Sequence, residues 1–288
     1  MRFQLTDEQT GFARSLTDLM RTSGSVSVAR AWADGNSAPG TQLWKRLADQ
    51  GLTALVADEE EGGLGGDLVD LVVAFEVLGH ELAVGPWIES AALAPQADGS
   101  MVTAAVPPLS PYAADAHVAR LLSGTPGASH ASVDRTRTLV EVSDPDPFDE
   151  QSVDRAVLAC AAQLLGAGER VLADSVTYVG QRQQFGRANG SYQAIKHQLA
   201  DVRIALDFAR PVVLGAALGE LPASAAKIAA ADAAYLAART GLQVHGAIGY
   251  TAEFDLSLWL LRIRALVTAW GTPAYHRGRV LDVLTREA

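Results

Sequence analysis

The sequence is poor in cysteine and in positive charge, and both shortages limit what the protein can be. Its 288 residues include a single cysteine, Cys160, so no disulfide can form within the chain and a reducing compartment is expected. Lysine and arginine number 23 against 33 aspartate and glutamate residues, which gives a formal net charge of −10. No basic run interrupts this acidic balance, which argues against a nucleic-acid or anionic-membrane partner.

The sequence also lacks the segments that direct a chain to or through a membrane. The amino terminus has no apolar core of the kind that a secretory signal peptide contains. The alanine-rich stretch 225–239 carries Lys227, Asp232 and Arg239, which make it too charged for a membrane span. We therefore expect a cytoplasmic protein without a membrane or nucleic-acid partner, and the sequence predicts no metal site.

Hydrophobic residues make up 49% of the chain, and their spacing predicts three regions: 1–98, 99–150 and 151–288. The first has apolar spacing for helices around 12–20, 43–48 and 68–82, and Thr6 with Gln9 fits a capping box. In the second, prolines and glycines separate short β-branched runs such as 101–106 and 139–142, which predicts a small β segment. In the third, four apolar helical stripes predict an up-down four-helix bundle, with Asp255 as N-cap of the last helix.

A short motif between the first two of these stripes breaks the helical pattern. Arg182, Phe185 and Gly186 are followed by Gln193, which opens the next predicted helix. Arginine presents a planar set of donors suited to phosphate, and a helix start offers free backbone N–H groups at the positive end of its dipole. The motif predicts a site for a phosphate-bearing ligand between helices. The alternative is an ordinary helix–helix turn with a solvated arginine.

Together with other segments, this motif resembles the acyl-CoA dehydrogenase family. The similar segments are 3–9, 51–65, 75–79, 182–186, 193–196, 199–201 and 243–251. The resemblance implies a mainly α fold with an N-terminal helical domain, a middle β-domain and a C-terminal four-helix bundle. It also implies FAD as a cofactor shared across a subunit interface and α,β-desaturation of an acyl-CoA thioester, in which a carboxylate removes the α-proton.

The same resemblance assigns FAD contacts to individual residues. These are Arg182, Phe185, Gln193, Gln243 and Gly246. Arg182 and Phe185 match positions that reach FAD bound mainly to a neighbouring subunit. Ala247 stands where the family usually has glycine, and its added methyl group is expected to crowd a close backbone approach.

The chain departs from the family at the catalytic base. Trp270 stands before Gly271 and Thr272, where the family carries its glutamate, and an indole has no lone pair to accept a proton. Trp270 either fills the space of an acyl chain or packs the end of the bundle as a core residue. Some members carry the base on the first bundle helix instead, and Asp154 matches that position. Dipole and capping stabilisation of a helix start also explains Asp154.

A second departure is the middle region, which is much shorter than the full β-domain of the family. Residues 99–150 lack both the Gly-Ser/Thr-Asp signature and the later Trp-Ile-Ser/Thr run that lines the flavin ring. With the missing glutamate, this truncated β segment makes the chain similar to the incomplete subunit of heterotetrameric actinobacterial steroid-type acyl-CoA dehydrogenases.

That similarity implies a division of labour between two chains. A paralogous full-length subunit supplies the flavin-ring site and the base, this chain supplies part of the FAD cradle, and the substrate is an acyl-CoA, such as a steroid side-chain ester. The expected electron acceptor is of the electron-transfer-flavoprotein type. Two alternatives remain open: a self-sufficient dehydrogenase with Asp154 as base, and a flavin-free structural or acyl-binding paralogue.

Overall fold

The computed structural model describes residues 3–286, most of which lie in helices. Nine α-helices occur within these residues: α1 (Asp7–Thr22), α2 (Ser25–Ala33), α3 (Ala38–Ala48), α4 (Leu68–His80), α5 (Glu150–Gln181), α6 (Gln193–Ala217), α7 (Ala223–His245), α8 (Leu256–Thr268) and α9 (Pro273–Arg286). A π-helical segment, Ile88–Leu93, follows α4, and 3₁₀ turns lie at Glu59–Glu61, Asn189–Ser191 and Gly246–Tyr250. The predicted region limits at residues 1 and 288 lie outside the described residues.

Short strands occupy two places in the described chain. Between α4 and α5 lie β1 (Val102–Thr103), β2 (Tyr112–Ala114), β3 (Arg120–Leu121), β4 (Thr125–Ala131) and β5 (Thr138–Ser143), and between α5 and α6 lie β6 (Gln183–Gln184) and β7 (Arg187–Ala188). β2, β5 and β4 form an antiparallel sheet in that order, and β1 pairs in parallel with β3. The predicted run 139–142 lies within β5, whereas 101–106 is a strand only at its second and third residues.

Helix α5 forms the centre of the bundle, and every residue from 156 to 168 is buried. Helix α4 crosses it so closely that backbone packs on backbone. A Cβ atom on Gly79 would lie 2.0 Å from the carbonyl oxygen of Gln163, and one on Gly166 would lie 1.9 Å from that of Glu76. Only glycine fits at these two positions, so the crossing fixes the first helical region against the bundle.

The same helix, α5, is long enough and apolar enough to cross a membrane, and no other described helix has both properties. However, 83% of its most apolar 18-residue window is buried inside the protein. Neighbouring helices cover this apolar surface, as they do for the central helix of a bundle.

Two predicted helix caps had different outcomes. The capping box at α1 is confirmed, because the Gln9 N–H donates to Thr6 Oγ1 and the Thr6 N–H donates to Gln9 Oε1, both at 3.1 Å. Asp255 does occupy the N-cap position of α8 as predicted, but its side chain makes no capping hydrogen bond. The side chain of Asp255 accepts instead from Arg30 of α2, at 3.0 Å from Nε and 2.7 Å from Nη2. A charged donor offers this carboxylate a stronger hydrogen bond than a backbone amide does.

A buried ion pair joins all three regions of the chain. Arg262 of α8 donates through Nε to Asp134, which lies between β4 and β5, through Nη2 to Thr136 Oγ1 at 2.7 Å and through Nη1 to the Ala83 carbonyl oxygen at 2.9 Å. Both charged side chains are buried. Burial alone would raise the pKa of Asp134, but Arg262 and the bonds from Thr136 outweigh it and hold that pKa below its ordinary value.

We predict that Asp134→Ala lowers the free energy of unfolding by about 3–5 kcal/mol, because it leaves Arg262 buried without a counter-charge. Chemical denaturation of the purified protein measures the loss. The control is Asp232→Ala, which removes the exposed pair with Arg277 at 2.7 Å and should cost less than about 1 kcal/mol. Similar losses in the two variants would contradict the role given to the buried pair.

Candidate functional site

The predicted phosphate motif forms a tight hairpin after α5. Strands β6 and β7 pair in an antiparallel manner, and Phe185 and Gly186 occupy the two turn positions between them. Their φ angles are +52° and +80°, as a type I′ turn requires. A phenylalanine in this left-handed region is uncommon and strained by about 1–3 kcal/mol. The turn holds the Phe185 side chain 92% exposed.

Contacts with the following segment brace the hairpin. The Asn189 N–H donates to the Arg182 carbonyl oxygen at 2.8 Å, and the Asn189 side chain donates to Gln184 Oε1 at 3.0 Å. The Tyr192 hydroxyl donates to the Gln184 carbonyl oxygen at 3.1 Å, while the Arg187 guanidinium lies 3.9 Å from the Tyr192 ring centroid. These contacts within residues 182–192 therefore stabilise the hairpin, and none of them involves the Phe185 side chain.

Arg182 and Gln193 flank this hairpin, and both are exposed. The Arg182 N–H donates to the Tyr178 carbonyl oxygen at 2.8 Å, which ends α5. Its guanidinium group has no ion-pair partner among residues 3–286. Gln193 is the first residue of α6, and the preceding Tyr192 supplies no side-chain cap. One free cation and one uncapped helix start thus lie on either side of the exposed aromatic ring.

Gln243 and Gly246 lie at the carboxyl end of α7. Gly246 has φ +66° and ψ −139°, a conformation open to glycine but not to other residues. A Cβ atom there would meet nothing within 4 Å, so the backbone is open to a ligand from this side. Both residues line a surface cleft of about 590 Å³ whose other polar side chains are Gln198, Asp201, Arg239, Thr240 and Tyr250. Ala247 is exposed.

The five predicted FAD-contacting residues lie at one end of the bundle but in two groups. Helices α5 and α7 run in the same direction, and the rings of Tyr178 and His245 stack near their carboxyl ends with centroids 4.2 Å apart. The hairpin group is Arg182, Phe185 and Gln193, and none of these lines the cleft that holds Gln243 and Gly246. Their roles as cofactor contacts remain predictions.

Trp270, which the resemblance assigns to the family's base position, has no exposed surface. It adopts φ +58°, and Gly271 after it adopts φ +92°. The Trp270 carbonyl oxygen accepts from Nε2 of His276 at 2.8 Å, and the Gly271 N–H donates to the Leu109 carbonyl oxygen at 3.0 Å. The indole Nε1 has no hydrogen-bond partner in the described part of the chain. The position is filled by a ring that cannot take a proton.

Two titratable side chains near Trp270, His276 and Lys227, both donate hydrogen bonds to backbone carbonyl oxygens. A carbonyl can only accept, so His276 carries its proton on Nε2, while Nδ1 accepts from the Ser224 hydroxyl at 2.9 Å. Burial lowers the pKa of His276 to about 4, so the ring is neutral. Lys227 is buried and donates to the Leu266 carbonyl oxygen at 2.8 Å, near the carboxyl end of α8. Burial also lowers the pKa of Lys227.

Asp154, the other candidate base, is held by an ion pair. Its Oδ1 accepts from Arg279 of α9 at 2.8 Å, and the same arginine reaches Glu150 at 2.9 Å. The Asp154 side chain is 34% exposed. These contacts attach the last described helix to the start of α5, which is a structural role for Asp154. Its catalytic role remains untested.

The buried carboxyl group of Glu89 was not predicted from the sequence. It lies in the π-helical segment, is 2% exposed, and its Oε1 has no hydrogen-bond partner among the described residues. Burial raises its pKa to about 7. The negative charge of Asp115 also raises this pKa, whereas the positive charge of Arg137 lowers it. The sequence signal was an acidic residue inside the apolar run 87–93.

Two segments of the chain match the domains of a known protein family. Residues 6–105 match the acyl-CoA dehydrogenase N-terminal domain, and residues 150–285 match the acyl-CoA dehydrogenase C-terminal domain. The chain therefore belongs to the acyl-CoA dehydrogenase family, a family of oxidoreductases. Strands β2 to β5 lie between the two matched segments.

Two relatives match along almost their whole length. Acyl-CoA dehydrogenase IpdE2 from Mycobacterium tuberculosis is 32% identical over 290 residues, which cover 89% of this chain and 91% of that protein. IpdE2 from Mycolicibacterium smegmatis is 28% identical over 301 residues, which cover 93% and 96%. Since each alignment covers nearly all of both proteins, these relatives share the short length of this chain.

Solved structures show the same fold. The ChsE4–ChsE5 complex from Mycobacterium tuberculosis gives a TM-score of 0.81 at 20% identity over 99% of each chain, and a steroid ACAD gives 0.81 at 19% over 98% of each. An acyl-CoA dehydrogenase from Bacillus anthracis complexed with FAD gives 0.81 at 15%, over 99% of this chain and 68% of that one. The predicted mainly α, acyl-CoA dehydrogenase-like fold is confirmed.

The raised pKa of Glu89 predicts how stability changes with pH. The folded state binds the Glu89 proton more tightly than the unfolded state, whose ordinary pKa is 4.5, so this group stabilises the fold at low pH. The contribution is lost as the pH rises through about 7. We expect Glu89→Gln to raise the unfolding free energy at pH 8 by up to about 3 kcal/mol relative to the wild type.

Denaturation of both proteins between pH 5 and pH 8 tests this expectation. The gap between variant and wild type should be small at pH 5 and widen with pH, since only the wild type must ionise a buried carboxyl group. Exposed Glu60→Gln is the matched control and should follow the wild type. A constant gap across the range would show that Glu89 does not titrate as described.

Proposed function

We propose that this chain is one subunit of a heteromeric FAD-dependent acyl-CoA dehydrogenase and supplies part of the FAD site. A paralogous full-length subunit supplies the flavin-ring site and the catalytic base. The observation that carries the proposal is a contrast within one chain. Phe185 and Arg182 are exposed on a braced hairpin, whereas Trp270, at the base position, is completely buried.

The exposed groups at the end of the bundle suit the phosphate and adenine part of FAD. The Arg182 guanidinium is free to neutralise phosphate charge, and the first amides of α6 offer further donors. Phe185 presents a ring face for stacking, and Gly246 leaves room for a phosphate close to the backbone. FAD, when bound, supplies the redox chemistry of the desaturation.

The two family positions for the catalytic base, at Trp270 and Asp154, offer no free carboxylate in the described chain. Removal of the α-proton requires a carboxylate within reach of the substrate. Trp270 has none to offer, and its ring occupies the position. Arg279 holds the carboxylate of Asp154 in the contact between α5 and α9. Among the described residues, neither family position therefore carries a free carboxylate, which supports a base supplied by the partner.

The exposed sides of α6 and α7 fit an interface with that partner. Ile204 and Phe208 lie one turn apart on α6, and Tyr235 and Leu236 lie next to each other on α7. All four are exposed, Phe208 to 74%. Exposed aromatic and aliphatic side chains of this density are typical of protein interfaces. The hairpin with Phe185 leads directly into α6, so one partner can cover both surfaces.

Two of the similar structures support the assembly and the substrate class. ChsE4–ChsE5 is a complex of two proteins, and another of these structures is a steroid ACAD. By analogy we propose a heterotetramer that acts in the cytoplasm on a steroid-type CoA ester and passes electrons to an acceptor of the electron-transfer-flavoprotein type. The FAD complex of the Bacillus anthracis protein supports the choice of cofactor.

Arg182→Ala tests the donated half-site. We expect FAD affinity of the co-expressed complex to fall roughly 10- to 150-fold, the equivalent of a charge-assisted bond of about 1.5–3 kcal/mol. Titration of apo-complex with FAD, followed by flavin fluorescence, measures the change. Lys45→Ala, an exposed cation of α3, should leave the affinity unchanged. An unaltered affinity in Arg182→Ala would favour the flavin-free scaffold instead.

Asp154→Asn tests the self-sufficient alternative. If the partner supplies the base, turnover by the complex should stay within about twofold of the wild type. If Asp154 is the base, turnover should fall by about 10²–10⁴-fold while flavin remains bound. Steady-state kinetics with flavin content measured on the same samples separates the two results.

A further inference from the structure

Three rings pack together where the two groups of cofactor-facing residues approach each other. His245, the last residue of α7, is 5% exposed and stacks on Tyr178 of α5 with an interplanar angle of 23°. Phe254 lies 5.4 Å from the His245 ring centroid and 6.3 Å from that of Tyr178, in an edge-on arrangement with the latter. We call Tyr178, His245 and Phe254 the aromatic trio.

A hydrogen bond fixes the orientation of the His245 ring within the trio. Nδ1 lies 2.7 Å from the Gly241 carbonyl oxygen, and since a carbonyl only accepts, Nδ1 carries the proton. Nε2 is buried and has no hydrogen-bond partner among the described residues. Burial lowers the pKa of His245, in keeping with a neutral ring. The imidazole therefore acts here as a flat, oriented aromatic group rather than as a charge.

Tyr178 and His245 each lie near the carboxyl end of a helix that is followed by, or contains, predicted cofactor contacts, and Phe254 lies in the loop before α8. The carbonyl oxygen of Tyr178 accepts the Arg182 N–H at 2.8 Å, which sets where the hairpin leaves α5. Gly246 directly follows His245, and Gln243 lies in the same last turn of α7. Phe254 is next to Glu253, whose carbonyl oxygen accepts from Arg30 at 2.8 Å. The stack between His245 and Tyr178 thus links the carboxyl end of α5, where the hairpin begins, to the last turn of α7.

We propose that His245 is a positioning residue that holds the two groups of cofactor-facing residues, the hairpin group and the cleft group, in a fixed relation. The inference rests on the proposed function, because it concerns FAD bound partly by this chain. His245 need not touch FAD. It acts through the stack with Tyr178, which connects the end of α5 to the end of α7.

FAD titration of the co-expressed complex tests the proposal with variants that separate the ring from the rest of the side chain. His245→Leu keeps apolar volume but removes the stack, and we expect FAD binding at least about tenfold weaker. His245→Phe restores a ring against Tyr178 and should bring the affinity to within about threefold of the wild type. If His245→Leu does not assemble with the partner, His245→Gln, which lacks the ring but keeps a donor, takes its place.

Val244→Ala is the matched control, since it also removes buried volume from the last turn of α7 but lies outside the aromatic trio. It should lower the melting temperature and leave FAD affinity unchanged. Two results overturn the positioning role. In one, Val244→Ala and His245→Leu lose FAD affinity in the same proportion to their loss of melting temperature. In the other, His245→Leu binds FAD like the wild type. If Arg182→Ala weakens FAD binding while His245→Leu does not, only this inference fails; if neither does, the proposed function fails.

Discussion

The buried guanidinium group of Arg262 is the constraint on which the arrangement of the chain depends. It belongs to the bundle, but its partners come from the strand region, through Asp134 and Thr136, and from the segment after α4, through the Ala83 carbonyl. A buried charge that loses its partners costs several kcal/mol, so none of the three regions can separate from the others cheaply. The middle region therefore has a structural role in the fold.

Two large residues adopt the same uncommon backbone conformation with opposite consequences. Phe185 and Trp270 have φ angles of +52° and +58°. Such strain persists only where the surroundings determine the conformation. The hairpin bonds do so for Phe185 and present its ring to solvent. His276 and the contact between Gly271 and Leu109 do so for Trp270 and enclose its ring. Phe185 is 92% exposed, whereas Trp270 has no exposed surface.

Local patterns in the sequence predicted the amphipathic helices well. The apolar stripes gave α1, α3, α4 and the four bundle helices, because each buries one face against a neighbour. They missed α2, which is only nine residues long, and α9, which leaves Leu281 and Leu284 exposed. Asp255 is the N-cap residue of α8 as predicted, but its carboxylate binds Arg30, distant in sequence, instead of the helix amides.

Long-range pairings account for most of what sequence reasoning could not find. Glu89, Arg262 and His245 owe their properties to neighbours far along the chain, and no periodicity or motif spacing encodes such neighbours. Family resemblance predicted cofactor contacts in the hairpin and at the end of α7, but it did not predict the ring stack that connects these two places. The resemblance also predicted that Trp270 replaces the family's base, and the structure shows the ring fully buried.

The central claim is that this chain holds half of a flavin site whose reactive half belongs to another protein. The flavin content of the purified chain, compared with that of the chain co-expressed with its full-length paralogue, tests it most directly. The visible absorbance spectrum should show no stoichiometric flavin in the isolated chain and a yellow, active complex after co-expression. Stoichiometric FAD with dehydrogenase activity in the isolated chain would contradict the account.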